Sequence, residues 1–405
     1  MDLSLLEQLL NLPQVRVSRY QFLNDEVIIW VYIPEGQHRC PKCGRYHHHV
    51  TEQVEVKVRD LSVFGKKCYL IIQKGRLHCS CSYRGYEAID FVDKYQRQTT
   101  RFTEFLFQLC DRMTIMNAAE LAEVDWKRAY KTDRQTLSSM EASTSLPKMT
   151  AIGIDEIAFE KRHRYFTIVY DLSHDNGVLF AVEGRKKESV NVFFDQLSPQ
   201  QLEDIKIVCM DMWDPYIASV REKVPHADIV FDRFHIQKHL HDCIDIVRRS
   251  IARDITDKHI RLYIKNNRWV LYKNLECYTK DDHNTLLKLK QINEPLYEAY
   301  LVKEQFDRFF DYKKPAWAKK FLKRWYQHIP THLKVFFQPF YDMLIKYLRG
   351  VLSYIKHRIS NAKAEGLNHK IKVLKRMAYG YRDKDYFKLK ILRRCGYLKQ
   401  VNPVF

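Results

Sequence analysis

The sequence predicts a multidomain α/β protein: a small β-rich module and a helix-turn-helix precede an α/β core that a long helical insertion divides. Three observations lead there. Closely spaced cysteines interrupt short alternating strands near the N-terminus, a series of apolar strands and crossover helices opens at Met149, and residues 240–350 keep helix-like spacing with no strand run. With 405 residues, 46% of them hydrophobic, the chain exceeds one ordinary domain.

Residues 1–95 form the first module. Alternating runs at Glu26–Tyr32, Val54–Val58 and Tyr69–Gln73 read as strands, broken by CPKC and by the CSC turn. Cys40 and Cys43 have the spacing of a zinc knuckle, and Cys79 with Cys81 supplies a second pair across a small sheet. A C-x-C pair is less usual than C-x2-C, so His38, His47, His48, His49, Cys68 and His78 stay open as substitutes. Zn2+ is the expected cofactor of this module.

Residues 96–148 turn helical. MNAAELAEVDWKRAYKTDRQTL reads as two helices around a turn, with Asp125 as N-cap of the second. That second helix would expose Lys127, Arg128, Lys131 and Arg134, with Trp126 and Tyr130 to pack or touch backbone, and such a helix fits a DNA major groove. The polar stretch EASTSLPK then ends the segment.

Residues 149–240 make the first part of the core. AIGIDEIAF, RYFTIVYDL and VLFAVEG read as strands, followed by a helix from Lys187 to Leu197 and a strand IKIVCMD. A helix from about Pro215 to Lys223, the strand ADIVFD and a helix from His235 continue the alternation. Residues 241–350 are the helical insertion, expected to serve in packing and in contacts to DNA ends. Residues 351–405 return to the core with one helix from about Ser353 to Lys375, whose stripe is Ile355, Ile359, Ala362, Ile371 and Leu374, and a basic tail.

Charge narrows the partner. The chain carries a formal +19, and residues 351–400 alone hold fourteen Lys and Arg against three Asp and Glu. So uneven a surplus points to nucleic acid, with Lys363, Lys370, Lys375 and Arg376 as candidate contacts on the last helix. MDLSLLEQLL lacks the pattern of a secretory signal, no segment reaches the roughly 20 apolar residues of a membrane span, and scattered cysteines suit a reducing cytoplasm.

Three acids stand out within the core. Asp155 lies inside an apolar strand, where a charge is costly unless a metal or partner compensates it, and Asp211 ends a second strand. Acids on neighbouring strands can converge on a divalent ion, which takes oxygen ligands. Glu365, at the border of the last helix's stripe, can reach back toward the sheet, and Gly366 beside it leaves room for a close approach. Asp232 and His235, in DRFH, form a secondary pair, in which Asp232 suits a cap for the helix that His235 begins. Asp214 and Glu156 lie near these acids without an assignable role.

GIDEIAF, VCMDMWDPY, IVFDRFH and SNAKAEGLNHKIKVLKRMAYGYRD, in this order, resemble the core of the ISL-three family of bacterial insertion-sequence transposases. The last string is the most specific, through Ser360-Asn361, Glu365-Gly366, Asn368 and Arg376 to Tyr381, and the resemblance extends over nearly the whole chain. It implies an RNase H-like core with a catalytic triad of Asp155, Asp211 and Glu365 holding two Mg2+ or Mn2+ ions roughly 3.5–4 Å apart, and related transposase families carry a similar acidic-x-x-His element, in which His235 would orient water or phosphate. The implied activity is cleavage of transposon ends and their joining to target DNA, by a homodimer on double-stranded DNA in the bacterial cytoplasm, associated with the nucleoid. Two other readings remain: a domesticated copy that only binds DNA, and an RNase H-like nuclease that joins nothing.

Overall fold

The computed structural model describes residues 2–93, 96–160 and 164–402. Contacts divide the chain into two compact units, residues 1–145 with 375–382 and 400–405, and residues 146–374 with 383–399.

In the first unit, α1 (Leu3–Leu10) precedes a five-stranded sheet. Its strands are β1 (Arg16–Phe22), β2 (Glu26–Tyr32), β5 (Glu52–Val63), β6 (Lys66–His78) and β7 (Arg84–Tyr86), in the order β1-β2-β6-β5 with β7 on the end of β6. The two-residue strands β3 (His38–Arg39) and β4 (Tyr46–His47) form a separate hairpin. Strict alternation in β2 and β6 puts Val27, Ile29 and Val31 opposite Cys68, Leu70 and Ile72 in a parallel register, so one face is apolar. Leu6 and Leu10 of α1 join that face's core. Sequence reading recovers β2 but sees only the middles of β5 and β6, whose ends are too polar to alternate.

Three helices follow: α2 (Thr100–Arg112), α3 (Ile115–Leu121) and α4 (Trp126–Ser143). Asp125 caps α4, accepting from the Arg128 amide at 2.9 Å. Small residues let the helices approach, since Ala118, Ala119, Ala122 and Ala129 pack on Phe102 and Leu106. Glu123 takes the left-handed conformation (φ 52°) where such turns usually have glycine.

The second unit holds a five-stranded mixed sheet of order β10-β9-β8-β11-β12. β8 (Ala151–Glu160), β9 (Arg164–Asp171) and β10 (Val178–Glu183) form an antiparallel meander, and β11 (Ile207–Met210) and β12 (Asp228–Phe231) add in parallel beside β8. This is the RNase H-like arrangement. Helices α5 (Lys187–Asp195) and α6 (Pro199–Asp204) lead into β11, α7 (Asp214–Lys223) links β11 to β12, and α8 (Arg233–Asp254) leaves β12.

The insertion is helical as expected: α9 (Lys258–Asn266), α10 (Arg268–Tyr272), α11 (Lys280–Ile292), α12 (Glu294–Asp307), α13 (Pro315–Gln327) and α14 (Thr331–Lys346). Its aromatics are core, with Phe306, Phe310, Trp325 and Phe340 in one buried cluster of edge contacts. α15 (Leu348–His357) then lies on β12 so closely that a Cβ on Gly350 would stand 2.4 Å from the Phe231 ring.

The single helix expected over Ser353–Lys375 is two. α15 ends where Arg358 turns left-handed (φ 56°), and α16 (Ala362–Met377) restarts after a break that contains Ile359. Arg358 is held there by its guanidinium, which donates to the carbonyls of Phe310 and Tyr312 at 2.5 Å for the latter. A tertiary contact overrides the continuous apolar stripe. α17 (Lys384–Cys395) closes the unit against β10. Among the described residues, no helix is long and apolar enough to cross a membrane.

Candidate active site and metal centres

The sheet register builds the site. Ile154 of β8 pairs with Met210 of β11, and Met210 pairs with Phe231 of β12. One residue further along stand Asp155, in the middle of the long β8, and Asp211 and Asp232, just past the ends of β11 and β12, so three aspartates form a row across three parallel neighbours. His235 lies in the first turn of α8, and its Nε2 is 2.9 Å from Asp211 Oδ1. Asp155, Asp211 and His235 each bring one ligand atom within 4.8 Å of the others.

Asp155 is the best anchored of these. Its Oδ1 accepts from the Glu156 amide and its Oδ2 from Asn368 Nδ2, both at 2.7 Å. Asn368, on α16, in turn accepts from the Tyr170 hydroxyl of β9. Burial and the nearby Asp211 carboxylate push the Asp155 pKa up to about 6. Burial opposes the charged form of His235, yet Asp211, with Asp155 and Asp232, raises its pKa above the usual value. Two half-buried carboxylates facing one imidazole make an oxygen-rich, electronegative pocket that fits a divalent cation.

The remaining expected groups are placed as follows. Asp232 is buried and caps α8 through the Phe234 amide at 3.4 Å, so the capping reading and a position in the acidic row hold together. Glu365 is exposed on the first turn of α16, outside the cluster of Asp155, Asp211 and His235. It stands three residues before Asn368, hence about one turn away on the same helical side. A Cβ on Gly366 would meet nothing within 4 Å, which leaves that turn open to a ligand. Lys363, Lys370 and Arg376 are exposed, and Lys375 is half-buried. Asp214 pairs with Lys346 and Tyr347, each at 2.8 Å, and Glu156 faces Arg185 at 3.5 Å.

The Asn368 contact was not assigned from sequence, because a helical asparagine 213 residues from its partner gives no periodic signal. Replacing Asn368 with Ala should weaken divalent-ion binding about 10–100-fold by freeing the Asp155 carboxylate to rotate, read as a shifted midpoint in a metal titration of melting temperature.

The first unit holds a second donor set. Cys40 and Cys43 flank a knuckle between β3 and β4, closed by Gly44 N–H to Cys40 O at 2.9 Å with Gly44 left-handed (φ 74°). Cys79 and Cys81 lie on the turn after β6. The Cys40–Cys81 sulfurs are 3.7 Å apart and the Cys43–Cys79 sulfurs 3.5 Å, close to the ~3.8 Å edge of a tetrahedron with 2.3 Å metal–sulfur bonds. The backbone amide of Cys81 holds the Cys79 thiol down to about 6, and burial pushes Cys81 up to about 11. Cys68 lies apart in the sheet core, and His38 is buried against Glu87 at 2.7 Å, so neither completes the set. On α4, Lys127, Lys131 and Arg134 are exposed, Arg128 is half-buried, and Trp126 stacks on Tyr130 with ring centroids 5.0 Å apart.

Known proteins share these parts in this order. A family model described as "Transposase" matches residues 152–391. A zinc finger of the transposases of IS204, IS1001, IS1096 and IS1165 matches residues 36–81, and a helix-turn-helix domain of transposase family ISL3 matches residues 87–130. The chain is 33% identical to the transposase for insertion sequence element IS1001 of Bordetella parapertussis, over 87% of each protein. It is 24% identical to the transposase for IS1557 of Mycobacterium tuberculosis, over 85% of this chain and 82% of that one.

Proposed function

Since the chain belongs to the ISL3 family of insertion-sequence transposases, we propose that it cuts the ends of its element and joins them to target DNA at a two-ion site held by Asp155, Asp211 and Glu365. The observation that carries this reading is the meeting of Asp155, within β8, and Asp211, just past the end of the adjacent parallel β11, beside His235. Magnesium or manganese bound there would supply the positive charge that acidifies an attacking hydroxyl and offsets charge on the leaving oxygen.

The protein's own groups do the rest. Asp155, fixed by Asn368 and by the Glu156 amide, presents a carboxylate whose direction is already set. His235 orients Asp211. Glu365 completes the donor set from the exposed turn of α16 that precedes Asn368. Cleavage and joining are then the same in-line displacement: a water oxygen, and later a 3′-hydroxyl, attacks phosphorus as the opposite P–O bond breaks.

The helix-turn-helix presents α4 to duplex DNA, and a homodimer brings two element ends together. A labelled element end incubated with the full chain and Mg2+ should yield both nicked ends and strands joined to a target. Nicks without joined product would establish a nuclease, and neither product alongside end binding would establish a DNA-binding regulator.

A further inference from the structure

Beside the acidic row lies an open groove of about 720 Å3 whose lining includes Tyr165, Gly184, Arg185, Lys186, Lys187 and Trp213. We propose that this groove binds an unpaired nucleotide of the DNA next to the scissile phosphate, its base stacked on Trp213 and its phosphate held by Arg185, Lys186 and the first turn of α5. The proposal rests on the transposase reading above and extends it to the shape of the bound strand.

Trp213 stands two residues after Asp211 and keeps 38% of its surface exposed. An exposed indole is ordinarily mobile; this one is fixed. Its Nε1 donates to the Arg185 carbonyl at 3.1 Å, and the Arg185 guanidinium lies 5.0 Å from its ring centroid and 4.4 Å from that of Tyr165. A ring whose freedom is already lost stacks on a base with little further ordering. In a paired duplex the faces of the bases are covered by their neighbours, so only a base released from the stack can meet it.

The anion-binding side comes from the turn before α5. Gly184 is left-handed (φ 101°), and a Cβ there would lie 2.6 Å from Ser189 Oγ, so this tight turn is open only to glycine. It places Arg185 and Lys186 ahead of a helix whose first amides receive no side-chain cap. The groove's lining also contains the acids Glu183 and Glu188. Glu183 pairs with Lys384 at 2.5 Å, and Glu188 lies in the first turn of α5. Lys187 is engaged by Glu222 at 2.5 Å, and Arg185 bridges to Glu156 at 3.5 Å, next in sequence to Asp155. Lys186 is exposed. The Arg185–Glu156 pair therefore links the groove to the catalytic strand.

The test reads binding alone, with the full chain in buffer free of divalent ions. The probes are a labelled oligothymidylate of about 20 nucleotides, longer than the roughly 4–16 nucleotides such grooves cover, and a blunt duplex of equal length. Trp213→Ala and Arg185→Ala should each weaken single-strand binding about tenfold, the effect of losing one base–aromatic stack, while duplex binding changes less than about twofold. Trp213→Phe, which keeps a ring, should retain most of the affinity. Unchanged melting temperatures establish that the variants fold. Unaltered single-strand binding in Trp213→Ala, or parallel loss of single-strand and duplex binding, would overturn the proposal. Because binding is read without divalent ions, where no strand is cut, loss of catalysis leaves this result intact and failure here leaves the cleavage site standing.

Discussion

Asp155→Asn should abolish strand cleavage, by on the order of 10^3-fold or more, and at the same time raise the melting temperature of the metal-free protein. The two effects have one origin. Burial and the facing Asp211 hold the Asp155 pKa at about 6 instead of its usual 3.8. Because the folded value is raised, the unfolded chain ionises first. Stability is lost as pH climbs from about 3.8 to about 6, and the full cost is present above that. A shift of this size corresponds to roughly 2–3 kcal/mol at neutral pH.

Asparagine removes the charge but offers one acceptor where Asp155 uses two, so about 1 kcal/mol of that gain is returned. The net expectation is a rise of a few degrees at about pH 7.5, given roughly 2–4 °C per kcal/mol in a unit of this size. Mg2+ should then stabilise the wild type and not the variant. In the wild type the Mg2+ effect should fade as pH drops through about 6, where protons compete for the carboxylate. Scanning calorimetry from about pH 5 to pH 8, with and without Mg2+, measures all of this. A metal-free variant less stable than the wild type, with its Mg2+ response intact, would place the ion elsewhere.

The legible part of this site was the part with a period. Apolar strands announce β8, β11 and β12, and Asp155, Asp211 and Asp232 fall into one row because parallel strands in register carry corresponding residues side by side. The break between α15 and α16 left no such mark: Ile355, Ile359 and Ala362 keep helical spacing across it, and only the contact of Arg358 with Phe310 and Tyr312 shows why the helix stops. The bond from Asn368 to Asp155 and the fixed indole of Trp213 are likewise tertiary facts. Glu365 shows the opposite limit. Its motif is specific in sequence, while in the fold its carboxylate stands on an exposed turn, outside the cluster of Asp155, Asp211 and His235.

Cys43→Ser should remove bound zinc and cost at least about tenfold in DNA affinity, while the sheet of the same unit stays folded. The core around the knuckle explains the first half. It consists of Cys40, Leu77 and Cys79 with Val50, Cys81 and Tyr83 packed beside them, too little apolar surface to order the β3–β4 hairpin without a metal. The neighbouring sheet explains the second half. It has its own core of Val27, Ile29, Val31, Leu70 and Ile72, contributed by β2 and β6 and sealed by α1, and none of these side chains depends on the four sulfurs. Elemental analysis should therefore find one zinc per wild-type chain, none in Cys43→Ser, and one in Cys68→Ala, because Cys68 belongs to the sheet core. Limited proteolysis of the zinc-free protein should cut first between β3 and β4 and spare β6. Zinc retained by Cys43→Ser would mean that a nearby histidine completes the site. Simultaneous loss of the sheet would mean that the metal organises the whole module and not its hairpin alone.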